Sequence, residues 1–132
     1  RHHRCLLRDA DPAIFRALAP GDVLFVDSSH IAVPGSDVDR LFLDILPRLP
    51  PGVLVHLHDV FLPDPYPPEW AWRGYNEQLL AGALMLGGGW DLVWASRWMA
   101  TRREGLIAKG PLSGFPLLPG AFESSLWLAR SR

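Results

Sequence analysis

A chain of 132 residues, 48% hydrophobic and 20% charged, has the material for one domain with a sizeable core and the balance of an ordinary folded protein. Its formal net charge of -1 leaves no basic excess to neutralise a phosphate backbone, which argues against a nucleic-acid binder and for a small-molecule substrate. Cys5 is the only cysteine, which excludes an intrachain disulfide; no apolar run approaches the roughly 20 residues that span a bilayer and no signal-peptide pattern follows Arg1, so a cytoplasmic protein without membrane contact is expected.

The chain opens on arginine and enters ordered pattern almost at once, which reads as a fragment. Cys5-Leu6-Leu7 reads as the end of a strand. Asp11 is a good N-cap and Pro12 suits a first helical position, so a short helix is expected over 13–18 with Ile14, Phe15 and Leu18 inward. Pro20-Gly21 ends it, and 22–27 reads as a strand whose continuous apolar middle suits burial on both faces. Ser36 or Asp37 then caps a helix in which Val38, Leu41, Phe42, Ile45, Leu46 and Leu49 recur at the three-and-four spacing of one face. Pro50-Pro51-Gly52 stops it before a second strand over 53–58. Strand, helix, strand with short punctuation is a βαβ unit and implies parallel pairing.

Beyond Phe61 the prolines 63, 65, 67 and 68, with Tyr66, Trp70 and Trp72, forbid regular structure and suit a rigid aromatic loop. A second helix is expected from about 75 to 86, stopped by Gly87-Gly88-Gly89, and a third strand over 90–95. The stretch 97–109 is ambiguous. After a loop rich in proline and glycine, 124–129 reads as a closing edge or antiparallel strand.

Both early strands end abruptly in ionisable residues, as buried α/β strands do where such sheets bind ligands. Asp27 and His30 lie three apart, within reach for a carboxylate to orient an imidazole, although a turn formed by Asp and Ser explains the pattern equally well. His56 and His58 point to the same side of their strand. His58 with Asp59 is the functional candidate, and His56 reads as a hydrogen-bonded core histidine. If the two strands are neighbours, Asp27 and Asp59 sit about 5 Å apart and repel unless one is protonated or a cation lies between them. Oxygen ligands with an imidazole suit magnesium or another divalent cation. Asp59 as a cap of the following loop is the plainer reading. Tyr66 and Trp70 suit a substrate wall, or packing that merely orders the loop. Glu77 reaches the crevice or helps start its helix, and Asn76 is a favoured N-cap type.

The blocks 22–30, 35–38, 51–53, 55–63, Tyr66-Pro67, Asn76-Glu77-Gln78 and Ser125-Leu126-Trp127-Leu128 together resemble the C-terminal half of class I S-adenosylmethionine-dependent methyltransferases. The resemblance implies a Rossmann-like α/β sheet, mostly parallel with a final antiparallel strand, of which residues 1–132 are one partial domain holding the fourth to seventh strands. It implies O-methyl transfer to a small-molecule or sugar hydroxyl, with metal contacts at Asp27 and Asp59, His58 as ligand or neighbour, and His30 as general base. It places Asp27 and Ser28 on the cofactor side, and Tyr66, Trp70 and Glu77 on the substrate side. No Gly-x-Gly-x-x-Gly occurs in the chain, so this polypeptide alone is expected to bind the cofactor poorly and to be inactive. Its open sheet edge would need the missing strands or a partner, a homo-oligomer included. Two other readings stand beside this one: a metal-dependent hydrolase built on His56, His58 and Asp59, and a non-catalytic fragment.

Overall fold

A computed structural model describes residues 2–115 and 118–132. A four-stranded sheet organises them, with β1 (Val23–Val26), β2 (Leu54–Leu57), β3 (Trp90–Ala95) and β4 (Leu126–Arg130) in the spatial order β1-β2-β4-β3. β1 and β2 pair in parallel, as the βαβ pattern predicted, with Phe25 opposite His56 and Val26 opposite Leu57. β4 runs antiparallel to both of its neighbours. The sheet is therefore mixed, with one parallel ladder of three, and the expectation of mostly parallel pairing holds only for β1 and β2. β4 was expected to be antiparallel, and it lies inside the sheet rather than at its edge because β3 pairs on its far side.

Alternation along the strands divides the sheet into two faces. Val26, Val55, Leu57, Leu126 and Leu128 point into the core, where they join Val38, Leu41, Phe42, Ile45 and Leu46 of the helical segment between β1 and β2. That segment is not one regular helix. It starts as α2 (Asp37–Arg40), with the Ser36 hydroxyl accepting from the Asp39 amide, widens to a π turn over Leu41–Ile45 and tightens to a 3-10 turn over Leu46–Arg48. Pro47 accounts for the change of pitch, since it brings no amide proton and its ring collides with the preceding turn of an α-helix. The apolar stripe survives the change of pitch, since Val38, Leu41, Phe42, Ile45, Leu46 and Leu49 are all buried.

The other sheet face carries the aromatic row Phe25, His56, Trp127 and Trp94, side by side across all four strands. Phe25 is 58% and Val23 48% exposed, so β1 is not buried on both faces as its apolar run predicted. An edge strand can carry such a run, and sequence alone cannot tell it from a central one. Three other expectations change. Cys5-Leu6-Leu7 forms no strand; a 3-10 turn covers Leu7–Asp9. The early helix α1 shortens to Ala13–Arg16 with Ile14 exposed, while Phe15 and Leu18 pack on the core. The proline-rich loop does fold regularly for a stretch, as 3-10 turns over Pro68–Arg73, because proline is tolerated where the first amides of a helix need no partner. α3 covers Glu77–Leu86, and the ambiguous stretch resolves into α4 (Ser96–Arg102) and α5 (Glu104–Ile107).

The turns that launch β1 and β2 meet at Gly52. Its carbonyl accepts from Gly21 at 2.9 Å and its amide donates to Arg130 at 2.7 Å. With φ at +87°, an added Cβ would lie 2.8 Å from the Pro20 Cβ. Gly52→Ala is therefore expected to cost about 1–3 kcal/mol of folding stability, since a left-handed alanine is strained before any clash is counted. A urea midpoint equal to that of the parent would show that the two turns yield freely.

Candidate functional site

At the carboxyl ends of β1 and β2 the backbone does something unusual twice. His30 and Asp59 both adopt positive φ, +59° and +54°, the only residues other than glycine to do so among the described residues. Histidine and aspartate enter that region at a cost that the surroundings must meet, and such positions concentrate at functional sites.

For His30 the surroundings are visible. Its amide donates to the Ser28 hydroxyl at 2.9 Å, and its carbonyl accepts from the amides of Asn76 and Glu77 at 3.0 and 3.2 Å. Asn76 adds a two-way contact with Ala32, accepting from its amide at 2.6 Å and donating to its carbonyl at 3.3 Å. Asn76 was expected to cap α3 through its side chain. It stands at the capping position but makes no such bond, because both ends of its amide are engaged with the loop after β1.

The His30 ring is buried among three carboxylates. Nδ1 lies 2.7 Å from Glu77 Oε2; Nε2 lies 3.3 Å from Asp27 Oδ1 and 3.7 Å from Asp59 Oδ2. Burial alone pulls the pKa of this imidazole down; the Glu77 hydrogen bond and the charges of Glu77, Asp59 and Asp27 outweigh it, and the net shift is upward. Whenever His30 is protonated, the repulsion expected between Asp27 and Asp59 meets a cation of the protein's own, since Nε2 faces both. Asp59 is further fixed by the Ser124 hydroxyl, which donates to Oδ1 at 3.0 Å.

The remaining candidates fall into place around this centre. Glu77, expected on the substrate side, is 1% exposed and sits behind His30. Ser28, expected on the cofactor side, shares its hydroxyl proton between the two Glu77 oxygens, each 3.0 Å away. Asp27 is the accessible one of the group, its side chain 59% exposed at the sheet edge. A groove of about 220 Å³ runs along β1 from Leu24 and Phe25 to Asp27 and Ser28. It is smaller than the roughly 300–1,000 Å³ of pockets that enclose a drug-sized ligand, so the described residues offer a cofactor one exposed carboxylate and a partial wall.

The aromatic loop reaches the same centre through Tyr75, whose ring lies 4.5 Å from that of His30. Trp70 and Tyr66 each pack edge-on against Tyr75 at 5.9 Å. The Arg73 guanidinium sits 4.2 Å over Trp70. Tyr66 is half-buried and accepts from the Gln78 amide; burial, reinforced by the Glu77 and Asp59 charges, pushes its pKa up to about 12, so it keeps its proton. Trp72 points away and is 81% exposed.

His58 lies with Nε2 3.5 Å from Asp59 Oδ1. His56 is buried as expected but not hydrogen-bonded: its ring stacks on Phe25 at 4.2 Å and meets Trp127 edge-on at 4.7 Å, with no partner for either nitrogen. Burial, with a smaller contribution from His58, lowers its pKa and keeps it neutral. Among the described residues no group of three or more His, Cys, Asp and Glu side chains is arranged to hold a metal ion. Asp27 and Asp59, expected from the sequence to hold a divalent ion, therefore belong to no such group. Among the same residues no helix is long and apolar enough to cross a membrane.

Sequence reasoning missed three members: Glu77 as the partner of His30, Ser124 as the anchor of Asp59, and Tyr75 as the ring that joins loop to site. Residues 1–60 match a family model described as a methyltransferase domain, which supports a methyltransferase in general. That span carries β1, Asp27, His30, β2 and Asp59. Neither the curated proteins nor the solved structures gave a match.

Proposed function

We propose that this chain forms the acceptor side of an S-adenosylmethionine-dependent O-methyltransferase, in which His30 is the general base for a small-molecule hydroxyl. One observation carries the reading: His30 turns one nitrogen to a buried carboxylate and the other to the strand-end crevice beside Asp27 and Asp59. That is the arrangement of an oriented base. The acceptor hydroxyl gives its proton to Nε2, and its oxygen would take the methyl group from the sulfur of bound S-adenosylmethionine, which would leave as the thioether. S-adenosylmethionine supplies the methyl group when bound, with Asp27 as the exposed carboxylate at its edge of the crevice. Tyr75, Tyr66 and Trp70 form the wall against which a flat or sugar-like acceptor is held. No metal step is needed, since removal of the proton is assigned to an imidazole and the two aspartates stabilise the imidazolium that results.

The test uses a protein that carries this chain together with a glycine-rich cofactor loop. It is incubated with methyl-labelled S-adenosylmethionine and hydroxyl acceptors of two kinds, catechols and simple glycosides, after chelation of divalent ions. Label in an ether linkage is expected. Label found only on nitrogen or sulfur, or transfer that returns only with magnesium, would overturn the assignment of His30 as an unaided oxygen base.

A further inference from the structure

A carboxylate as deeply buried as Glu77 is rare unless it is paired, and its partners show what it is for. Both oxygens receive the Ser28 hydroxyl at 3.0 Å, and Oε2 receives His30 Nδ1 at 2.7 Å, the length of a charge-assisted bond. The Glu77 amide donates to the carbonyl of the same histidine at 3.2 Å. Glu77 is also the first residue of α3, a helix of ten residues, and the positive end of the helix dipole favours a negative charge there. An ionised carboxylate only accepts, so the proton in the 2.7 Å bond belongs to the imidazole. On the other side of the ring, Nε2 lies 3.3 Å from Asp27 and 3.7 Å from Asp59, at or beyond the limit of ordinary hydrogen bonds. The two nitrogens are therefore unequal: one is clasped in the interior, the other looks out.

We infer that Glu77 is the positioning residue of His30, holding the neutral ring's proton on Nδ1 so that Nε2 presents a bare lone pair to the crevice. Ser28 is the second part of the clamp. Because its oxygen accepts from the His30 amide at 2.9 Å, its own proton is free for Glu77, and carboxylate, hydroxyl and imidazole lock one another. The clamp also accounts for the left-handed backbone of His30, which places amide, carbonyl and ring on these partners at once. The tautomer assignment stands on the geometry alone, whereas its catalytic consequence rests on the methyl-transfer reading above. Which nitrogen of a histidine is protonated is set by the hydrogen bond the other end makes, and a base whose lone pair faced inward would not reach an acceptor.

The experiment is a long-range proton–nitrogen correlation of the His30 ring in ¹⁵N-labelled protein, recorded with the ring neutral, in the parent, Glu77→Gln and Ser28→Ala. In the parent we expect a single tautomer with Nδ1 protonated and Nε2 bare. Glu77→Gln keeps the shape but offers a group that donates as readily as it accepts, so the signal should become a mixture or invert; Ser28→Ala should keep the parental tautomer. An Nε2-protonated parent would overturn the inference, and so would a Glu77→Gln spectrum identical to the parent's. Should Glu77→Gln fail to fold, the parental tautomer still decides. In the transfer assay Glu77→Gln is expected to lower kcat about 10²- to 10⁴-fold, as loss of a histidine's orienting carboxylate does elsewhere, with the acceptor KM nearly unchanged. Absence of transfer in the parent would count against the methyl-transfer reading and leave the tautomer result as it stands.

Discussion

Truncating Phe61 to alanine is expected to cost about 3–5 kcal/mol of folding stability, a large share of the roughly 5–15 kcal/mol that a domain ordinarily has. The side chain is fully buried, yet it lies outside the main cluster between sheet and helices. It is the hub of a second, aromatic cluster: Trp70, Tyr66 and Phe122 stand edge-on around it, with ring centroids 5.2, 5.8 and 5.9 Å away. Its amide donates to the Gln78 side chain at 3.1 Å, and that side chain donates in turn to the Asp64 carbonyl, so the same residue ties the loop to α3. A cavity there would find few neighbours able to collapse into it, because Trp70 and Phe122 already stand edge-on to one another and the Arg73 guanidinium lies over Trp70. Phe61→Leu, which retains most of the volume, should cost much less. Equilibrium urea unfolding of the two variants measures the difference. If both lose less than about 1 kcal/mol, the loop is not held by this ring and Tyr75 must be placed against His30 by something else.

The pieces that were legible in the sequence are those whose cause is local. The stripe from Val38 to Leu49 declared a helix facing a sheet, and the run from Trp90 to Ala95 gave β3 to the residue. Asp27 and His30 were readable as neighbours because three residues of one loop keep them together. What escaped was set by contacts distant in the chain. Glu77 lies 47 positions from His30, and nothing in the order Asn76-Glu77-Gln78 says that α3 begins behind the end of β1. Ser124 reaches Asp59 across 65 positions, and no spacing rule brings those together. Residue type misled where two roles share a preference: Asn76 suits a helix cap and equally a cross-loop amide pair, and only tertiary contact decides. The continuous apolar run of β1 misled in the same way, since it records apolar neighbours without saying how many faces have them.

Replacing His30 by glutamine is expected to lower turnover by about 10²- to 10⁴-fold, the usual share of a positioned general base, while leaving S-adenosylmethionine affinity nearly intact. Glutamine is the informative substitution, because its amide can still donate to Glu77 whereas alanine leaves that buried carboxylate with Ser28 alone and adds a folding cost. Turnover that survives in His30→Gln would remove this residue as the base. The pH dependence carries a second, independent signature. Nε2 accepts a proton only when the ring is neutral, and the carboxylates raise the His30 pKa above 6.5, so the acidic limb of kcat/KM is expected above that value. Asp59→Asn tolerates the same backbone and removes one of the raising charges, and should move the limb down. Folding stability must run the other way. A folded-state pKa above the unfolded 6.5 means that the native protein holds the His30 proton more tightly, so this contribution is complete below pH 6.5 and is lost as pH rises through the raised value. Urea midpoints of the parent are therefore expected to fall over the same interval in which turnover climbs, and those of His30→Gln to stay level across it. A single titrating group then ties the onset of catalysis to a loss of stability, and parallel rather than opposed trends in the parent would place the base elsewhere.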